Sequence, residues 1–389
     1  MGLRELCFVM MEANKNGSAG EAIMLPKRPN PVAEPSLDKR GIGWHLKFVA
    51  DELLECGRQL RQLLQHSQPQ ANPKQPRILE ILAKLLAEIE QETSRIAVIG
   101  QIKAGKSCFT NAFAGRPALL PTDINPWTCV VTHLHLGHPS GKTKGAEFHF
   151  FTEAEWQQIA EGGGLLRELT EKLVPGYDNA RLRAQVGAMK ARVQLRLGPQ
   201  FAQMLGKSHR FEEATSELLE KYVCAVPAID TAGRRQVAIY SDITRKADVY
   251  LSKGNFAFPT TLIDTPGVND PTLVRDEITR QFLETADLHV VVLSAHQALT
   301  MADLALMRIL QGLHKDRIVI FINRLDQLNS IVQDSQAIAA NVSSIVAREF
   351  PNLTIPIVAG SAWWGECSLK RNAAELHGLL SAQTMAYAV

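Results

Sequence analysis

The sequence has little net charge, no clustered cysteines and no long apolar run, and each shortage removes a class of function. Lysine and arginine outnumber aspartate and glutamate by 42 to 40 in 389 residues. Such a balance does not imply a nucleic-acid partner, and any basic surface must be local. No RNA-binding module stands outside the core, and no DNA partner is expected. Six cysteines, at positions 7, 56, 108, 129, 224 and 367, lie far apart without C-x-x-C spacing. They suit a reduced cytosol and form neither a zinc site nor a disulfide framework. No apolar run reaches the roughly 18 to 20 residues of a membrane span. The apolar start from Leu6 to Met11 is short for a signal core, and Leu6 stands where myristoylation favours Ser or Thr. A soluble, cytoplasmic protein is expected, with at most peripheral contact at the inner face of a membrane.

What is present is a chain 46% hydrophobic, enough for a large core and one large or two medium domains. Residues 1–43 read as a disordered leader, because Pro26, Pro29, Pro31 and Pro35 block regular structure in a stretch rich in Gly, Asn and Lys. From Trp44 to Gln65, Leu46, Val49, Leu53, Leu54, Leu60, Leu63 and Leu64 fall near helical spacing. A second helix from Ile78 to Ile89 follows a Pro-containing turn, so residues 44–92 form a helical hairpin whose apolar stripe needs a partner.

The most specific stretch is Gly100-Gln101-Ile102-Lys103-Ala104-Gly105-Lys106-Ser107, which fits G-x-x-x-x-G-K-[ST]. The run from Arg95 to Ile99 before it reads as a buried strand, and Cys108 to Phe113 after it as a helix. A pattern of four fixed positions does recur by chance, and the strand before and helix after are what weigh against that here. Gly100 and Gly105 let successive backbone N–H groups turn toward a phosphate at a helix start. Lys106 suits the β- and γ-phosphates, and the Ser107 hydroxyl suits Mg²⁺.

Four further segments fit the same chemistry in order. The loop from Leu119 to Thr128 carries two prolines and reads as a switch, with Thr122, Thr128 and Thr132 all candidates by type; a strand from Cys129 to Leu136 follows. The strand from Thr260 ends in Asp264-Thr265-Pro266-Gly267, where an acid can hold Mg²⁺ through water and Gly267 can offer an N–H to the γ-phosphate. The strand from Arg317 to Asn323 leads to Arg324-Leu325-Asp326, where a carboxylate can accept paired hydrogen bonds from guanine. Last, Thr354 to Val358 precedes Ser361-Ala362, a small-residue loop able to pack on the base. Between them, the run from His289 to Leu293 reads as a buried parallel strand.

This ordered set resembles the five-motif guanine-nucleotide domain of the translation-factor-like GTPases. More narrowly, KAGKSCFTNAFAG followed by LLPTDINPWTCVVTHL is similar to bacterial dynamin-like proteins and their mitofusin relatives, over about residues 44 to 365. The resemblance implies a P-loop GTPase domain at 93–389, with a mostly parallel sheet and helices on both faces. It also implies GTP and GDP as ligands with Mg²⁺, and a homodimer or higher self-assembly through this domain. By position, Ser107, Thr128 and Asp264 would be the metal residues. Gly100, Gln101, Ile102, Ala104, Gly105, Lys106, Ser107, Cys108 and Gly267 would surround the phosphates, and Asn323, Arg324, Asp326, Ser361 and Ala362 the base. Arg324 departs from the usual Lys, and its planar guanidinium can still stack on a base. Val268 follows the D-x-x-G glycine, where many GTPases carry a water-orienting Gln. Lys103 is the candidate for the missing charge, placing Lys103, Lys106 and Thr128 in the catalytic set. Hydrolysis coupled to self-assembly in membrane remodelling is the leading function; a regulatory or ribosome-associated switch and a scaffold with little turnover remain open.

The segment from Thr152 to Asn255 reads as a mostly helical insertion. It has Leu182, Val186, Met189 and Val193 on one face, flanked by Arg181, Arg183, Lys190, Arg192, Arg196, Lys207 and Arg210. That stripe fits either a solvated face or an anionic membrane. His135, His138, His149 and His209 show no ligand spacing and are assigned to surface or packing roles. Trp363 and Trp364 read as apolar cover beside the base loop. The resemblance implies a continuation into stalk helices and a lipid-binding tip; here the sequence stops at Val389, and no helix is readily placed after Ser361, so a fragment or a lost stalk is expected, with a complete short protein as the alternative.

Overall fold

A computed structural model describes residues 42–66, 75–122, 127–128, 130–161, 193–225, 239–252, 258–266 and 283–369, with the single positions 187, 191, 254 and 256. Residues 1–41 of the leader, Gly267, Val268 and the stripe residues Arg181, Leu182, Arg183, Val186, Met189, Lys190 and Arg192 lie outside them. The chain divides into two compact units, Met1–Glu92 and Thr93–Val389.

In the first unit, α1 (Ile42–His66) and α2 (Gln75–Glu90) pair. Gly57 permits their approach, because a Cβ there would stand 2.4 Å from the Leu86 side chain. Ile78, Leu82 and Leu86, spaced one turn apart, are buried. Val49, Leu53 and Leu63 are exposed.

The second unit begins with β1 (Ser94–Gly100), α3 (Lys106–Ala114), β2 (Trp127–Thr128), β3 (Val131–Leu136) and β4 (Ala146–Phe150). There follow α4 (Glu153–Glu161), α5 (Gln200–Met204), β5 (Ser208–Phe211), α6 (Ser216–Val223), β6 (Cys224–Ala225), β7 (Thr244–Leu251) and β8 (Thr260–Asp264). It closes with β9 (Leu288–Ser294), α7 (Met301–Gly312), β10 (Ile318–Asn323), α8 (Ile331–Glu349), β11 (Ile357–Ala359) and α9 (Ala362–Leu369). Nine strands form one sheet in the order β11-β10-β9-β1-β8-β3-β7-β4-β5. From β11 to β8 every pairing is parallel, so the carboxyl ends of β1, β8, β9, β10 and β11 share one edge. β3 runs antiparallel to β8 and parallel to β7, and β4 and β5 add antiparallel pairs.

Alternation along the strands divides the core between the two faces. Ile96 and Val98 join Leu262, Leu134, Phe148 and the helix residues Leu219 and Tyr222 on one side. Ala97 and Ile99 join Val291, Ile320 and the helix residues Met307, Leu310 and Val346 on the other. The sheet is thus covered by helices on both faces, as an α/β domain requires. Truncating a fully buried side chain such as Phe148 or Met307 costs on the order of 2 to 5 kcal/mol.

Three readings are corrected here. The segment from Thr152 to Asn255 is not simply helical: β5 extends the edge of the sheet and β7 lies inside it, between β3 and β4. Thr244 to Leu251 reads T-R-K-A-D-V-Y-L, and its Lys and Asp hid a strand whose Ala247 and Val249 are fully buried. Arg196, placed in a basic surface stripe, is nearly buried and pairs with Asp242 at 3.2 Å, while Arg210 pairs with Glu147 at 2.8 Å. A helix does follow Ser361: in α9, Trp364 is buried and Trp363 is 42% exposed.

Candidate functional site

The loop between β1 and α3 turns on two glycines. Gly100 has φ +150° and no room for a Cβ, which would sit 2.3 Å from the Val292 carbonyl oxygen. Gly105 has φ +91°, and a Cβ there would meet Asn323 Nδ2 at 2.3 Å. Lys103 is also left-handed, with φ +62°, and its side chain is exposed. Lys106 is buried at the start of α3, with its Nζ 3.0 Å from the Gln101 carbonyl. Gln101 donates from Nε2 to Thr300 Oγ1 at 2.7 Å and to Asp303 Oδ2 at 2.8 Å, tying the loop to the capping box that starts α7.

At the end of β8, Asp264 is fully buried. Ser107 Oγ donates to its Oδ2 at 2.9 Å, and Thr110 Oγ1 lies 3.4 Å from its Oδ1. Burial raises the Asp264 carboxyl to about 6, against the charge of Lys106 and the hydrogen bonds from Ser107 and Thr110. The folded state therefore holds a proton that the unfolded chain releases near pH 4. Stability from this group is fully present below about pH 4 and is lost as pH rises through about 6, on the order of 3 kcal/mol. In Mg²⁺-free buffer, Asp264→Asn is expected to gain stability relative to the parent between pH 4 and 7. Denaturant melts of both proteins across that range check this, and a pH-independent difference would contradict it.

The β10 end joins two loops. Asn323 is buried; its Nδ2 donates to the Ala104 carbonyl at 2.9 Å, and its Oδ1 accepts from the N–H of Arg324 at 2.8 Å and of Ala362 at 2.9 Å. One side chain thus links the glycine loop, the Arg324 turn and the start of α9. Ser361 Oγ donates to Asp326 Oδ1 and accepts from the Trp364 N–H at 3.2 Å. Arg324 sits at φ +70°, with Nη1 3.5 Å from Gln327 Oε1. Cys108 faces Glu366, and burial with the nearby Glu366 and Asp326 carboxylates pushes its thiol up to about 12, so it stays protonated at neutral pH.

The backbone of Thr128 pairs with Cys224, and Thr132 lies opposite Asp264 in the β3–β8 register. Ile102 and Ala104 lie within the glycine loop, and Ala104 is buried. Asn111 and Thr110 were missed by sequence reasoning. Asn111 donates to the Leu120 carbonyl and accepts its N–H, at 2.9 and 2.8 Å, holding the chain where it leaves toward β2. The available signal was a polar Thr110 one turn after Lys106, followed by Asn111, both among the buried residues of α3.

Oxygen donors fit a small hard cation: the Ser107 hydroxyl and the Asp264 carboxylate stand 2.9 Å apart at the start of α3. The glycine loop, the buried lysine at a helix start and the linked β10 loop form the arrangement of a phosphate-binding domain. The sequence model of the Dynamin family matches residues 96–325. The chain belongs to the dynamin family. This dynamin-family domain is 25% identical over 225 residues to Dynamin-like protein 1 of Campylobacter jejuni, covering 57% of this chain and 26% of that protein. A 71-residue stretch is 39% identical to Bacterial dynamin-like protein of Nostoc punctiforme, 18% of this chain and 10% of that one. The chain therefore spans about a quarter or less of the length of these relatives. Two solved chains of an oligomerised bacterial dynamin pair, described as providing a mechanism for long-range sensing and tethering of membranes, superpose with TM-scores of 0.58 and 0.54 at 18% identity. They match 85% and 84% of this chain and 40% and 48% of theirs. That likeness is one of fold, the α/β P-loop GTPase fold. No helix among the described residues is long and apolar enough to cross a membrane.

Proposed function

We propose that this domain binds and hydrolyses GTP with Mg²⁺, and that hydrolysis is coupled to contact between copies of the chain during membrane remodelling. The observation that carries this reading is the bridge made by Asn323, which joins the glycine loop to the Arg324 and Ala362 segments on one edge of the sheet. Backbone N–H groups from Gly100 to Cys108 hold the phosphates, and Lys106 neutralises them. Ser107 and Asp264 would hold Mg²⁺, and Thr128 of the switch segment would be the third residue at the ion. Mg²⁺, when bound, supplies neutralisation of phosphate charge. Gly267 offers its N–H to the γ-phosphate. Asp326 accepts from the guanine edge, oriented by Ser361, while Arg324 covers the base and Ala362 backs it. Self-assembly and membrane contact are supported by the oligomerised pair whose fold this chain shares.

Asp326→Asn is expected to weaken GDP binding and favour xanthosine diphosphate, because an amide presents a donor where the carboxylate accepted. Competition between the two diphosphates measures it; retention of the parent preference would remove Asp326 from the base site. Coupling to assembly is tested by specific activity across a hundredfold dilution series with light scattering. Turnover per chain is expected to rise with concentration as particles larger than a monomer appear. Flat activity from a monomer throughout would contradict the coupling.

A further inference from the structure

The sheet face that carries Val291 at its centre turns polar toward the β5 edge. On β3, Leu134 and Leu136 point into the core, so His133 and His135 share the opposite face. β7 places Asp248 directly across from His133, and β4, on the other side of β7, places His149 beside Lys246. A buried carboxylate is thereby ringed by imidazoles. Asp248 Oδ1 lies 3.2 Å from His133 Nδ1 and 2.9 Å from His135 Nε2; its Oδ2 lies 3.0 Å from His149 Nε2 and 2.8 Å from Lys246 Nζ. The spacing missed in the sequence was H-x-H on a strand, where i and i+2 share a face, together with an Asp on a strand 113 residues later.

We propose that His133, His135 and Asp248 bind a divalent transition-metal ion of the zinc class, at a site separate from the phosphate loop. Their ligand atoms all lie within 4.8 Å of one another. Tetrahedral ligands about 2.0 to 2.1 Å from zinc stand about 3.3 Å apart, close to the 2.9 and 3.2 Å contacts at Asp248 Oδ1. Small side-chain rotations are enough to admit the ion. Two neutral imidazoles and one carboxylate select zinc, cobalt or nickel over magnesium. A cleft of about 320 Å³, lined by His133, His135, His138, Thr261 and Arg95, opens beside the two imidazoles, and through it water could reach the ion as a fourth ligand.

Neighbouring groups already orient the ligands. His135 Nδ1 meets Thr261 Oγ1 at 3.0 Å, which fixes the ring with Nε2 toward Asp248. His149 and Lys246 occupy Asp248 Oδ2, leaving Oδ1 for one bond to the ion. The Lys246 charge opposes the cation, so this site is weaker than one without it. Metal here would pin β3, which follows the Thr128 segment, to β7.

The test uses the full chain, stripped with chelator and titrated with Co²⁺ and Zn²⁺ as the metals alone. One equivalent of Co²⁺ is expected to give a visible d–d band that Zn²⁺ displaces and millimolar Mg²⁺ does not, with a rise in melting temperature. Ser107→Ala should leave the band intact, which separates this site from the one in the glycine loop. His133→Gln and His135→Gln should each weaken Zn²⁺ by at least the ~100-fold that outer-shell changes can reach, and Lys246→Gln should tighten it by about tenfold. Should one glutamine variant fail to fold, the other and the parent spectrum decide. Absence of a one-equivalent band in the parent, or Zn²⁺ affinity unchanged in a folded His133→Gln or His135→Gln, would overturn the assignment.

Discussion

Lys106→Ala is expected to lower the rate of GTP hydrolysis by about 100- to 1,000-fold, the cost of removing one preorganised charge from a site of developing negative charge. The ammonium is buried at the start of α3 and held 3.0 Å from the Gln101 carbonyl, so little reorganisation is needed when phosphate arrives. Its removal also leaves Asp264 without the cation that opposes burial's effect on that carboxyl, so the variant should bind nucleotide more weakly. Ser107→Ala removes a hydroxyl 2.9 Å from Asp264 and should reduce turnover as severely. Single-turnover measurements at saturating GTP separate rate from affinity. Turnover unchanged in both variants would place the chemistry elsewhere.

Lys103→Ala is expected to lose at least about 100-fold in kcat, as removal of a charge on the transferring phosphoryl group does, while affinity stays within a few fold. The Val268 side chain has no polar atom with which to orient water. Lys103 stands in the glycine loop at φ +62°, exposed and ahead of Ala104 and Gly105, and its ammonium is proposed to supply the charge at the β–γ bridging oxygen. Hydrolysis by the parent should then depend little on whether sodium, potassium or a bulky organic cation is present. Lys103→Asn should recover activity in potassium alone. Strong potassium stimulation of the parent, or normal kcat in Lys103→Ala, would assign the charge to another group.

The parallel half of the domain was legible because its strands, buried on both faces, are near-continuous apolar runs: Ile96 to Ile99, Val290 to Leu293 and Ile318 to Ile322, the first and last of which lead straight into the motif residues Gly100 and Asn323. The other half was not. β7 interleaves Lys246 and Asp248 with Ala247 and Val249, because one of its faces carries the histidine cluster rather than an apolar core. A scan for apolar runs passes over such a strand. The glycine loop could be read from residue spacing alone. The roles of Gln101, Thr110 and Asn111 could not, since each depends on a partner distant in sequence or on a helix face shared with one. Asn323 was singled out as a base reader from its motif, and what the geometry shows is that it braces the glycine loop, which no local pattern encodes.

The most direct measurement is calorimetric titration of the full chain with non-hydrolysable GTP and ATP analogues, with and without Mg²⁺. One molecule of the guanine analogue should bind per chain, at least about tenfold more tightly than the adenine analogue, because the wrong base leaves the Asp326 carboxylate unpaired. Binding should weaken without Mg²⁺ and weaken further in Lys106→Ala. Equal affinity for the two analogues, or binding unaffected by Lys106→Ala, would contradict a guanine-nucleotide site at the glycine loop.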